Sequence, residues 1–123
     1  MASSILDDTK QLCGIEPDYD HYDLDIMMHI NSVFATLNQL GIGPPDGFEI
    51  SGNVETWDDF LAGNKKFNSV RTYLALKVKS LFDPPTTSFH ISAMEDQLQQ
   101  FEWRLNVVRE ETEWVDSTAP VTE

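Results

Sequence analysis

Basic residues are scarce in this chain: 8 Lys and Arg stand against 21 Asp and Glu, a formal net charge of −13 over 123 residues. A surface of that sign repels duplex DNA and anionic membranes, which argues against binding through counterion release and points to proteins or cations as partners. Cysteine is nearly absent. The single Cys13 excludes an intrachain disulfide and fits a reducing compartment. Long apolar runs are missing as well, none approaching the ~20 residues that span a bilayer. The N-terminus has neither the basic start nor the apolar stretch of a secretory signal, so the protein is expected to stay where it is made.

Catalytic signatures are missing too. No Gly-x-Ser-x-Gly elbow, phosphate-binding glycine loop or dinucleotide fingerprint occurs, and Gly41-Ile42-Gly43 runs into Pro44-Pro45, which marks a turn. The acidic cluster Glu16, Asp18, Asp20, Asp23 and Asp25 with His21 invites a metal reading. A calcium loop counted from Asp18 fails, because Asp23 and His29 fall where glycine and glutamate are required. A solvated turn and helix start is the expectation instead. His21, Asp25 and His29, each four apart, could share a helix face. With no further histidine pair or cysteine to complete a zinc set, they read as a surface hydrogen-bond ladder. Cys13 reads as a small buried hydrophobe and His90 as a plain polar residue. Neither enzyme nor cofactor nor metal is expected.

What the chain does have is a hydrophobic fraction of 41% with seven Phe, three Trp and three Tyr, enough to fill one core. The pattern predicts an all-α fold: a small bundle of four to five helices with a short extended or strand insertion and an acidic C-terminal tail. The first helix spans about residues 4 to 13, capped by Ser4 and ended by Gly14, with Ile5, Leu6, Thr9, Leu12 and Cys13 on its apolar face. In the second, Ile26, Ile30, Val33, Leu37 and Leu40 recur at helical spacing up to Gly41. Phe48-Glu49-Ile50 alternates too briefly for more than a short strand or an extended loop, and a short strand would need a partner, such as one from a neighbouring subunit. Thr56 to Gly63 reads as a small helix anchored by Trp57, Phe60 and Leu61.

Asn64 to Phe82 reads as one long helix, with Phe67, Val70, Leu74, Val78 and Leu81 sharing a face. Five of the eight basic residues, Lys65, Lys66, Arg71, Lys77 and Lys79, lie on it, so local charge runs opposite to the whole. Asp83-Pro84-Pro85 stops this helix, and Ser88 to Val108 forms another, with Ile91, Met94, Leu98, Phe101, Leu105 and Val108 as a near-heptad stripe. The folded domain is therefore placed at 1–109. The tail at 110–123 carries five acids and no base, and is expected to be disordered until docked. Its apolar pair Trp114-Val115, flanked by Glu111 and Glu113, has the look of an anchor for another protein's groove.

Taken in order, Ile5-Leu6-Asp7-Asp8-Thr9-Lys10, Leu12-Cys13-Gly14-Ile15, Asp25 to Ser32, Leu40 to Pro44, Trp57 to Leu61, the Asp-Pro-Pro corner and Phe101 to Asn106 resemble the head-tail connector family. These are adaptor proteins of long-tailed phages and prophages of Gram-positive bacteria. The resemblance implies assembly rather than catalysis. It implies a ring beneath the twelve-subunit portal of a filled capsid and a platform for the next neck protein, or stopper. It also implies that the tail, with Trp114, reaches onto the portal.

The residues agree in kind. A basic helix in an acidic chain suits head-to-tail contacts, making Lys65, Lys66, Arg71, Lys77 and Lys79, with Phe48 and Ile50, the subunit-interface candidates. Twelve copies at −13 each amount to −156, and an acidic channel would let DNA pass without sticking. Two other readings compete. One is an acidic helical adaptor that binds a basic protein or mimics DNA, which the basic helix disfavours. The other is a small metal-dependent hydrolase using His21, Asp25 and His29.

Overall fold

The computed structural model describes residues 4–64, 67 and 69–111, and over these the chain is helical: α1 (Ile5–Leu12), α2 (Asp23–Gln39), α3 (Trp57–Leu61), α4 (Val70–Phe82) and α5 (Ser88–Glu111). Helix α4 is the hub, packed on α1, α2 and α5, while α1 and α2 also meet each other. Its Val70, Tyr73, Leu74 and Val78 are buried against Ile26, Ile30, Val33, Phe34 and Leu37 of α2 and Ile5 and Leu6 of α1.

Local chemistry explains the boundaries. The Ser4 hydroxyl accepts from the Asp7 amide at 3.3 Å, Asp7 and Asp8 sit in the first turn, and Gly14 takes the left-handed conformation that ends α1. Gly41 does the same after α2, and there the Ile42 amide reaches back to the Leu37 carbonyl at 2.9 Å. Five residues are too few for a helix to stand alone, and α3 is held by a full capping box between Thr56 and Asp59. One antiparallel bridge, Ser4 with Thr56, ties the starts of α1 and α3 together.

Three expectations are corrected by the structure, and one alternative left open by the sequence is decided. Helix α4 begins at Val70, not Asn64. Ala62 and Gly63 are both left-handed, and the Asn64 side chain donates to the Leu61 carbonyl at 2.7 Å, so the chain turns before the helix can start. Helix α5 continues past Val108 to Glu111. Of the two readings of Phe48-Glu49-Ile50 the extended loop is the one found, since among the described residues the segment pairs with no strand. Instead the Asn31 side chain substitutes for one, accepting from the Ile50 amide at 2.8 Å and donating to its carbonyl at 3.1 Å. The Phe48 ring then joins Phe34 and Phe60 in an aromatic cluster with centroids 4.7 to 5.3 Å apart.

The third correction concerns α1, where Leu12 points to solvent and Lys10 is buried in its stead. The Lys10 Nζ donates to the Pro17 carbonyl at 2.9 Å and lies 2.6 Å from Asp23 Oδ1, an approach too oblique to count as a second hydrogen bond but close enough for a strong charge contact. One lysine thus fixes both ends of the acidic loop between α1 and α2.

Candidate assembly surfaces

The corner between α4 and α5 is set by its own sequence. Asp83, kept out of the helical conformation by the proline that follows, caps α4 through a bond from its amide to the Lys79 carbonyl at 2.8 Å. Thr87 then starts α5: its hydroxyl accepts from the His90 amide at 3.3 Å and lies 2.6 Å from His90 Nδ1. His90, expected to be plain, is therefore part of a cap.

The inward stripes of both helices run on past the core at this end. Leu81 and Ile91 lie in those stripes by spacing, yet are 47% and 39% exposed. Two clefts flank Pro84 and Pro85 and share Met94. One, of about 460 Å³, is lined by Ala93 together with Lys79, Asp83 and His90. The other, of about 280 Å³, is bounded by Lys77, Ile91 and Leu98.

Beside the corner sits the acidic loop. Its Tyr19, His21 and Tyr22 rings contact one another at 4.8 to 5.9 Å, and Tyr22 meets Phe82 of α4 edge-on at 5.3 Å. His21 precedes α2 and stacks with tyrosines, so the expected ladder of His21, Asp25 and His29 on one helix does not form. Among the described residues no three His, Cys, Asp or Glu side chains come together in a way that could hold a metal ion. Cys13 is half-buried; burial pushes its thiol up, Lys79 nearby opposes this, and Asp83 adds to it.

The basic interface candidates separate. Arg71 is engaged within the chain, its guanidinium 3.7 Å from Asp8 Oδ2 and 5.6 Å from the centre of the Trp57 ring, while the Trp57 indole N–H donates to the same carboxylate oxygen at 2.9 Å. Lys77 and Lys79 stand on opposite sides of the corner, one at each cleft. Ile50 is buried in the chain's own core and Phe48 packs on it. Lys65, Lys66, Trp114, Val115 and Glu113 lie outside the described residues, and Glu111 is the exposed last residue of α5.

A further surface is made of residues that are not among the named interface candidates. The side of α5 turned away from α4 carries Phe89, 78% exposed, and Trp103, 68% exposed. Leu24 and Met28, one turn apart on α2, are exposed to a similar degree. Counting only the strongest stripe on each helix hides such second faces, although aromatic residues left off the stripe were the available signal.

These features define a small helical protein whose unspent chemistry lies in exposed aromatic faces and clefts. A family profile described as phage connector protein matches residues 5–112, and the chain belongs to that family. It is accordingly a structural component of the phage connector, made to contact other head and tail proteins. No curated protein and no solved structure matches the chain. Among the described residues no helix is long and apolar enough to cross a membrane.

Proposed function

We propose that this connector closes into a homo-oligomeric ring, twelve copies in the virion, beneath the portal of the DNA-filled capsid, and that the opposite side of the ring receives the stopper protein. The observation that carries this reading is the pair of large apolar side chains, Phe89 and Trp103, held out on the free side of a 24-residue helix in a chain of the connector family. Aromatic residues so exposed are what interface centres are made of. DNA passes through the lumen without specific binding, because the surplus of carboxylates repels its phosphates. Lys77 and Lys79 are the basic contacts toward the neighbouring copy. The tail with Glu111, Glu113, Trp114 and Val115 is a docking segment for a partner.

Electron microscopy of the neck of tailed particles tests the reading. The expected result is a ring of this chain between portal and stopper, with capsids made in its absence losing their genomes and failing to take tails. Particles that package, retain DNA and attach tails without it overturn the proposal.

A further inference from the structure

We infer that the cleft at the Pro84–Pro85 corner receives the acidic tail of a second copy of this chain, with Trp114 as the anchor. The inference rests on the self-associating reading above and names what the tail docks on.

Three observations carry it. The first is chemical match. The chain already shows how it seats an indole: Trp57 has a carboxylate, Asp8, for its N–H and a cation, Arg71, over its ring. The corner cleft offers the same set, with Asp83 and Lys79 among its lining residues beside the apolar Pro84, Pro85, Ala93 and Met94. At about 460 Å³ it falls within the range of about 300–1,000 Å³ that ligand sites occupy.

The second is charge. Trp114 is flanked by Glu110, Glu111, Glu113 and Asp116, and no base follows Arg109. Lys77 and Lys79, the basic residues of α4 with no ion pair among the described contacts, stand one at each of the two corner clefts.

The third is reach, which decides between the chain's own tail and another's. Ala93 and Glu111 are eighteen residues apart on one helix, about 27 Å at ~1.5 Å per residue. Trp114 follows Glu111 by three residues, which span about 10 Å at most when fully extended. Trp114 therefore cannot enter the cleft of its own chain. In a head-to-tail arrangement the end of α5 in one copy can lie beside the start of α5 in the next, and the tail then acts as a staple across the joint.

The test uses a fluorescein-labelled peptide of residues 110–123, titrated at low salt against the full-length chain carrying Trp114→Ala, whose own tail cannot compete. Saturable binding is expected by anisotropy. It should weaken at least about tenfold, about 1.4 kcal/mol, when the peptide carries Trp114→Ala or the chain carries Lys79→Glu or Ala93→Glu. Ala93 is exposed, so a thermal melt of that variant should match the parent.

In a Cys13→Ser background, mixing full-length Trp114→Cys and Ala93→Cys chains should yield a disulfide-linked heterodimer on oxidation. A double variant should give no internal link. Absence of peptide binding, or binding indifferent to Lys79→Glu and Ala93→Glu, overturns the inference and assigns the tail to another partner such as the portal. Rings that still form from the Trp114→Ala chain would then leave the ring reading standing alone.

Discussion

Lys10 is 1% exposed on a helix of eight residues, and a buried ammonium survives only where its charge is met. Asp23 and the Pro17 carbonyl meet it, and through them the start of α2 is fastened to α1. Removing one partner of such a pair leaves an uncompensated charge, whereas replacing the lysine by an apolar residue of similar length removes the demand. Asp23→Asn is therefore expected to lower stability by about 3 kcal/mol. Lys10→Met should change it by less than about 1 kcal/mol in either direction. Urea unfolding followed by circular dichroism separates the two, and equal losses would show that the lysine stem, not its charge, holds the loop. Asp23 was legible from its place as a helix-start acid. Lys10 was not, because a lysine on an apolar face is ordinarily read as solvated and its partner lies in a different element.

Tyr73 supplies a second residue-level expectation. Its ring is buried in α4 and its hydroxyl donates to Glu102 Oε2 on α5 at 2.8 Å. Burial, then the bond to Glu102 and its charge, push the phenol above its ordinary value near 10. With the folded value raised, the native state keeps a proton that the unfolded chain gives up, so the contribution is whole below about pH 10 and is lost as pH rises beyond it. Tyr73→Phe should cost about 1 kcal/mol at neutral pH, plus any penalty for the orphaned carboxylate. Thermal melts between about pH 8 and 11 should show the wild type losing this advantage over Tyr73→Phe as the solution becomes alkaline. A constant difference across that range would remove the proton linkage.

Elements were legible where a single stripe met a single cap. Helix α2 follows its spacing of Ile26, Ile30, Val33 and Leu37 to the glycine that ends it, and the Asp-Pro-Pro corner stops α4 where proline chemistry requires. Elsewhere side-chain bonds that apolar spacing does not show set the outcome, one from a distant element and one from three residues away. Asn31 of α2 answered the backbone of Ile50, so no strand partner was needed, and Asn64 closed α3 and delayed α4.

The loop after α2 gives the measurable case. Gly43 has φ +104 and a Cβ there would come 2.9 Å from Phe60, whose ring is fixed between Phe34 and Phe48. Gly47 has φ +91 with nothing within 4 Å. Gly47→Ala should thus cost only backbone strain, about 1 kcal/mol, and Gly43→Ala roughly 3 kcal/mol, strain plus displacement of a core ring. Equal destabilisation of the two in chemical unfolding would mean that the ring gives way freely.

At the scale of the whole molecule, the candidate surfaces were half legible. The basic segment, the proline corner and the Trp114-Val115 pair stood out in sequence, but not that Arg71 would be taken up by Asp8 and Trp57, nor that α5 would hold a second apolar face outward. Contact and charge are set against each other in this molecule. Each copy brings exposed Phe89 and Trp103 and clefts beside Lys77 and Lys79, which favour association, and a net charge of −13, which opposes it.

Apolar contact is short-ranged and insensitive to screening, while the repulsion between whole copies reaches about 30 Å at 0.01 M salt and about 3 Å at 1 M. Raising salt should therefore shift the isolated protein from monomers toward larger assemblies, the reverse of what a complex held by ion pairs alone would do. Sedimentation velocity across that range reads the outcome directly. Trp103→Ala should weaken the assembly seen at high salt, because a truncated aromatic anchor at an interface centre typically costs about 2 kcal/mol or more. Rings that are already complete in dilute low-salt buffer, or that dissolve as salt rises, would mean that the excess of carboxylates is neutralised within each copy's contacts and that repulsion does not oppose assembly.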